Sequence, residues 1–90
     1  MEKEIIRIKD GTFASVPRVA RLVEDGEVYG YVWFKKDNRH VYVYTSTGAL
    51  GTCGNDTFVR EELNELVECS VEEYNNAVMA ATEKRYLYHE

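Results

Sequence analysis

Cys53, Cys69, His40 and His89 are the residues best suited to covalent chemistry in this 90-residue chain. A neighbouring imidazole lowers a thiol's pKa and makes a competent nucleophile. Nothing in the spacing brings Cys53 to either histidine: His40 sits beside a hairpin tip and His89 at a chain end, both ordinary surface positions. Cys69, just before Ser70, suits packing as a small apolar residue. With no nucleophile, base and orienter assembled, the sequence predicts a protein that is not an enzyme. Two cysteines without metal-ligand spacing predict free thiols, with neither metal nor cofactor.

Gly48, Gly51 and Gly54 superficially resemble a phosphate cradle. The stretch lacks the Gly-Lys-Ser/Thr ending, and Asn55 and Asp56 would repel or compete with a phosphate at the following helix start. It reads as a flexible connector from sheet to helix, spanning residues 45–57.

The acidic residues form a second constellation. Glu61, Glu65, Glu68 and Glu72 are spaced i, i+4, i+7 and i+11, with Asp56, Glu62 and Glu73 nearby. On a helix, successive carboxylates lie roughly 6 Å apart, close to the spacing of phosphates along a nucleic-acid strand. Such a ridge would let a small acidic protein occupy the nucleic-acid channel of a basic one. The plainer reading is a solvated helix face, and Ser70 interrupts the helix before Glu72.

The aromatic residues are the third. Val28-Tyr29-Gly30-Tyr31-Val32-Trp33-Phe34 and His40-Val41-Tyr42-Val43-Tyr44 both alternate with period two. Folded about an Asp37-Asn38 turn, they pair Phe34 with Val41, Trp33 with Tyr42 and Val32 with Val43. Tyr29, Tyr31, Trp33, Tyr42 and Tyr44 then share one face, and the valines and Phe34 the other. An aromatic face of this size is either core beneath helices or a contact surface for a protein partner or a second copy. Arg18 would lie across from Trp33, in position for a cation–π contact.

The elements that must position these residues follow from turns and caps. Ile5–Lys9 and Thr12–Val16 flank Asp10-Gly11 as a hairpin, and Pro17 ends that ladder or lies at an edge. Arg18–Glu24 admits a helix, from the spacing of Val16, Val19, Ala20 and Val23. It also admits a strand, which Asp25-Gly26 favours; pairing then sets Val23 opposite Val28, Leu22 opposite Tyr29 and Ala20 opposite Tyr31. Gly30 marks a bulge or a close backbone approach. The pattern of Val59, Leu63, Leu66 and Val67 predicts a helix over about 58–68. A second helix opens at Ser70 with a capping box to Glu73, and its inner stripe is Tyr74, Ala77, Val78 and Ala81.

The chain is predicted to be one α+β domain over residues 1–90: an antiparallel meander of four to five strands followed by two short C-terminal helices packed on one face. Net charge is −5, and residues 46–90 carry three Lys/Arg against nine Asp/Glu. That balance argues against direct binding of nucleic acid or an anionic membrane and suits a basic protein partner. With no signal-like or membrane-spanning run, a cytoplasmic location is expected. In size and charge the chain resembles small accessory proteins of phages and mobile elements, including inhibitors of restriction or CRISPR systems, a likeness that assigns no residue a role. The expected function is a non-enzymatic protein-interaction module, in the inhibitory form acting on a nucleic-acid-handling complex. A homodimer burying its aromatic face, with a structural or ligand-binding role, is the alternative.

Overall fold

The computed structural model describes the backbone over residues 3–88 and the side chains over residues 3–84; His89 lies outside it. β1 (Lys3–Arg7) and β2 (Phe13–Pro17) form a separate hairpin. β3 (Val19–Glu24), β4 (Glu27–Phe34), β5 (Arg39–Tyr44) and β6 (Leu50–Gly54) form the meander. A 3-10 turn (Asn55–Thr57) and the single-turn helix α1 (Arg60–Leu63) lead to β7 (Leu66–Glu68). β7 returns to the free side of β3, giving the sheet order β6-β5-β4-β3-β7, and α2 (Val71–Tyr88) follows. The class is α+β with antiparallel sheets.

Two predicted elements are corrected. The helix over 58–68 is replaced by α1 and β7, because the outer edge of β3 recruits Leu66–Glu68: Leu66 faces Leu22 and Glu68 faces Ala20. Pairing there satisfies backbone groups that a helix would leave open on β3. The loop over 45–57 contains β6, whose Gly51 and Cys53 face Tyr42 and His40.

Turn length decides the register. Asp25 and Gly26 both have positive φ, 52° and 79°, as a two-residue hairpin turn requires. Asp37 and Asn38 are also left-handed, at 62° and 55°. Here, however, Phe34 faces His40 and Lys35 donates its N–H to Arg39 O, so Lys36 joins them in the turn. The third residue is held from a distance. Arg7 N–H donates to Asn38 Oδ1 at 2.9 Å, Asn38 Nδ2 donates to Arg7 O at 3.0 Å, and Asn55 N–H donates to Asn38 O at 2.8 Å.

This longer turn shifts the predicted β4–β5 pairing by one, and one step exchanges the faces. Trp33 now faces Val41, Tyr31 faces Val43, Val32 faces Tyr42 and Gly30 faces Tyr44. The single aromatic face of the sequence reading is therefore split between both sides of the sheet. In β3–β4, Val23 faces Val28 as expected, but Leu22 then faces Gly30, leaving Tyr29 as the extra residue of a bulge. Ala20 faces Val32 and Val19 faces Trp33. Val19 rather than Arg18 lies across from Trp33, and Lys35 Nζ stands 3.3 Å from the indole ring centroid.

Each face has its own cover, so the two helices do not share one. On the first face, Val19, Trp33, Val41 and Val43 pack beneath Tyr74, Ala77, Val78 and Ala81 of α2, the predicted stripe. Ser70 Oγ caps α2 by accepting from Glu73 N–H at 3.0 Å. The Glu73 carboxylate does not complete the capping box but takes Arg21 of β3 in a two-pronged ion pair, at 2.6 and 2.8 Å. On the second face, Ala20, Leu22, Val32 and Phe34 pack against Ile6, Ile8 and Val16 of the N-terminal hairpin, with Phe58 beside them and Leu63 and Leu66 packed against the cluster.

Candidate protein-interaction surface

The N-terminal hairpin is tied to the Asn38 end of the second face, and the opposite end carries Tyr29, Tyr42 and Tyr44. Tyr42 and Tyr44 stand two apart on β5, their ring centroids 4.8 Å apart, and the bulge brings Tyr29 to 6.2 Å from Tyr44. Glycines on the neighbouring strands seat two of these rings. A Cβ on Gly30 would meet Tyr44 Cδ1 at 3.1 Å and Val43 O at 2.6 Å, and a Cβ on Gly51 would fall within the Tyr42 phenol. Tyr44 and Tyr29 remain 38% and 36% exposed, which leaves ring surface open beside the packed core.

Carboxylates act on this cluster through their charge. Burial and then the Glu62 carboxylate push the Tyr29 phenol up, with Glu24 and Glu65 adding to the effect. Burial likewise pushes Tyr44 up, and Glu62 contributes there too. The phenols therefore stay protonated hydrogen-bond donors. A shallow groove beside Tyr29 is lined by Glu24, Asp25, Glu27 and Thr45. Tilted rings beside a carboxylate-lined groove form a surface for cations: a guanidinium or ammonium can lie on a ring face while a carboxylate takes its N–H groups.

Of the aromatic residues singled out in the sequence, Tyr29, Tyr42 and Tyr44 come together here. Tyr31 and Trp33 do not; they lie beneath α2, where Trp33 meets Tyr74 edge-on at 5.7 Å. The acidic ridge is not formed. Asp56 is in the 3-10 turn, Glu61 in α1, Glu65 in the following turn, Glu68 in β7 and Glu72 in the first turn of α2. All five are exposed, but they share no helix face and lose the even spacing that phosphate mimicry requires. Glu62, noted only as a neighbour of the ridge, acts on Tyr29 and Tyr44 through its charge, and Glu24, which the sequence reading passed over, lines the groove beside Tyr29.

His40 and Cys53 also differ from expectation. The β5–β6 register sets them directly opposite each other, and His40 is buried at 4% exposure rather than at the surface. Its Nδ1 lies 2.7 Å from Asn55 Oδ1. Asn55 Nδ2 donates to Asn38 Oδ1, which fixes the amide's orientation and assigns the imidazole proton to Nδ1. Burial holds the imidazole below its ordinary range, against the Asn55 hydrogen bond. The ring is wedged against Phe58 at 4.7 Å and Phe34 at 5.9 Å, and its hydrogen bond goes to the amide rather than the thiol. This is the geometry of a packed polar knot joining β5 to the 3-10 turn.

Among the described residues, no group of three or more metal-ligating side chains is present, and no helix is long and apolar enough to cross a membrane. Comparison with protein-family models, with curated proteins and with solved structures finds no match to this chain.

Proposed function

We infer that this protein is a non-enzymatic interaction module that receives a basic segment of a protein partner on the tyrosine end of its sheet. The observation that carries the reading is the partly exposed trio Tyr29, Tyr42 and Tyr44, with Glu24, Glu62 and Glu65 near Tyr29. A cation on an exposed ring contributes about 0.5–1 kcal/mol, and an exposed carboxylate pair about as little. Recognition by this surface therefore needs several cations at once and weakens as salt is added. In the inhibitory form of this reading, the partner is a basic nucleic-acid-handling complex, and module and nucleic acid compete for it. That competition would rest on the rings and their bordering carboxylates, since no regular carboxylate ridge forms.

The test uses a short oligo-arginine peptide as probe, followed by NMR shifts of the labelled protein at low and high salt. Expected are shifts centred on Tyr29, Tyr44 and Glu62 that shrink with salt and are lost in Tyr44→Ala and in Glu62→Gln. Shifts centred elsewhere, or unchanged in both variants, would refute the assignment.

A further inference from the structure

The two edges of the main sheet are built differently. β7 is three residues long, carries Glu68 and follows Glu61, Glu62 and Glu65; β6 is five residues, Leu50-Gly51-Thr52-Cys53-Gly54, with neither charge nor proline. Charges, proline and short length are what commonly protect an edge from pairing with another chain. Among the described residues no strand pairs with the outer side of β6. Tyr44 N–H donates to Ala49 O and Asn55 N–H donates to Asn38 O, which frames the β5–β6 ladder. Alternation then assigns Gly51 and Cys53 to the bonds with β5 and turns the N–H and C=O of Leu50, Thr52 and Gly54 outward.

We propose that β6 pairs antiparallel with β6 of a second copy, about a two-fold axis at Thr52, joining two five-stranded sheets into one. The outward N–H and C=O of Thr52 exchange with those of the other Thr52, and Leu50 exchanges with Gly54. Gly54 O also accepts from Thr57 Oγ1 at 2.9 Å, which leaves its second lone pair for Leu50 N–H. On one face, Thr52 meets Thr52, a favourable cross-strand pair. On the other, Gly51 meets Cys53, small against small, and the Tyr42 ring over Gly51 reaches the sulfur of the second copy, a favourable contact.

Charge selects this edge and this direction. Each copy carries −5, and joining β6 to β6 keeps the acidic β7 edges at the far ends of the combined sheet. At the Gly54 end, Lys35, Lys36 and Arg39 outnumber Asp37 and Asp56, whereas Leu50 lies toward the end bearing Glu24, Asp25 and Glu27. Antiparallel docking sets the basic end of one copy alongside the acidic end of the other; parallel docking would set like beside like.

Tyr42 borders both surfaces, but the variants below leave Tyr29, Tyr42, Tyr44 and Glu62 in place, so failure of the dimer and failure of the cation surface are read separately. Sedimentation of the full chain over a concentration series is expected to show a dimer. Thr52→Pro removes an outward N–H and should raise the dimer dissociation constant about tenfold or more. A second variant keeps the test decisive if proline disturbs folding. With Cys53 and Cys69 changed to serine, Thr52→Cys should oxidise to a disulfide-linked dimer, since opposed bonded positions lie about 5.5 Å apart. Glu68→Cys at the other edge should not. A monomer at every concentration with no Thr52→Cys cross-link, or a dimer unaffected by folded Thr52→Pro, would overturn the proposal.

Discussion

Tyr31 and Trp33 on one face of the sheet, and Tyr42 and Tyr44 on the other, come from adjacent strands with the same alternating pattern. The first pair packs with Tyr74 and Ala81 beneath α2. The second pair lies on glycines, Tyr44 over Gly30 and Tyr42 over Gly51, with Tyr44 still well exposed. A covered aromatic gives its area to the core. An aromatic seated on a glycine fills a gap within the sheet and keeps its outer surface for another molecule. Position relative to the cover, rather than residue type, separates core from candidate surface.

Substitutions can break that distinction, beginning with the largest effect. Phe34→Ala, beneath the N-terminal hairpin at 1% exposure, should cost about 3–5 kcal/mol of stability in urea unfolding. Gly30→Ala should cost about 1–3 kcal/mol, because the new methyl meets the fixed carbonyl of Val43. Gly51→Ala meets the Tyr42 ring first, and that ring can swing aside, so its cost should stay below about 1 kcal/mol while the tyrosine cluster opens. Equal costs at the two glycines would contradict this account of how the rings are seated.

Acid should act through the second face. Folding lowers the His40 pKa by burial, so the unfolded chain takes up that proton at a higher pH than the native one. This contribution is neutral above the ordinary imidazole value of about 6.5 and destabilises the fold progressively as pH falls below it. Urea midpoints measured across this range should fall with pH, and less steeply in His40→Gln. The smallest effect on folding is expected at the open end: Tyr44→Ala should change stability by no more than about 1 kcal/mol while abolishing the oligo-arginine response. A large loss of stability there would return Tyr44 to the core.

Alternation makes the strand character of β4 and β5 legible and turn signals mark β1 and β2, but β3 keeps a helical alternative that only the Asp25-Gly26 turn argues against; the α2 stripe is plain. β6 escapes notice because Leu50-Gly51-Thr52-Cys53-Gly54 has little intrinsic preference for a strand; its ladder with β5 and the ring over Gly51 supply what the sequence lacks. β7 is hidden by the helical spacing of Val59, Leu63 and Leu66, which the demand of the β3 edge overrides. The register fails at Lys36, since the turn's length depends on hydrogen bonds from Arg7, which is 31 residues from Asn38 in the chain. From that one step follows the split aromatic face, while the meeting of His40 with Cys53 comes from the separate β5–β6 register. The tyrosines of the candidate surface stand in the predicted set, but no local signal separates them from Tyr31 and Trp33.

The setting of Trp33 has an optical consequence. It is the chain's single tryptophan, edge-on to Tyr74 of α2 and beneath the Lys35 ammonium. Its emission therefore reports on the seating of α2, whereas tyrosine absorbance sums over seven tyrosines that include Tyr31 and Tyr74 on the covered face. A red shift of Trp33 emission at unchanged strand circular dichroism would mark a helix lifted from an intact sheet. The molecule thus carries an intrinsic probe for its helix-covered face, and no added label is needed to follow the docking of α2 apart from the sheet.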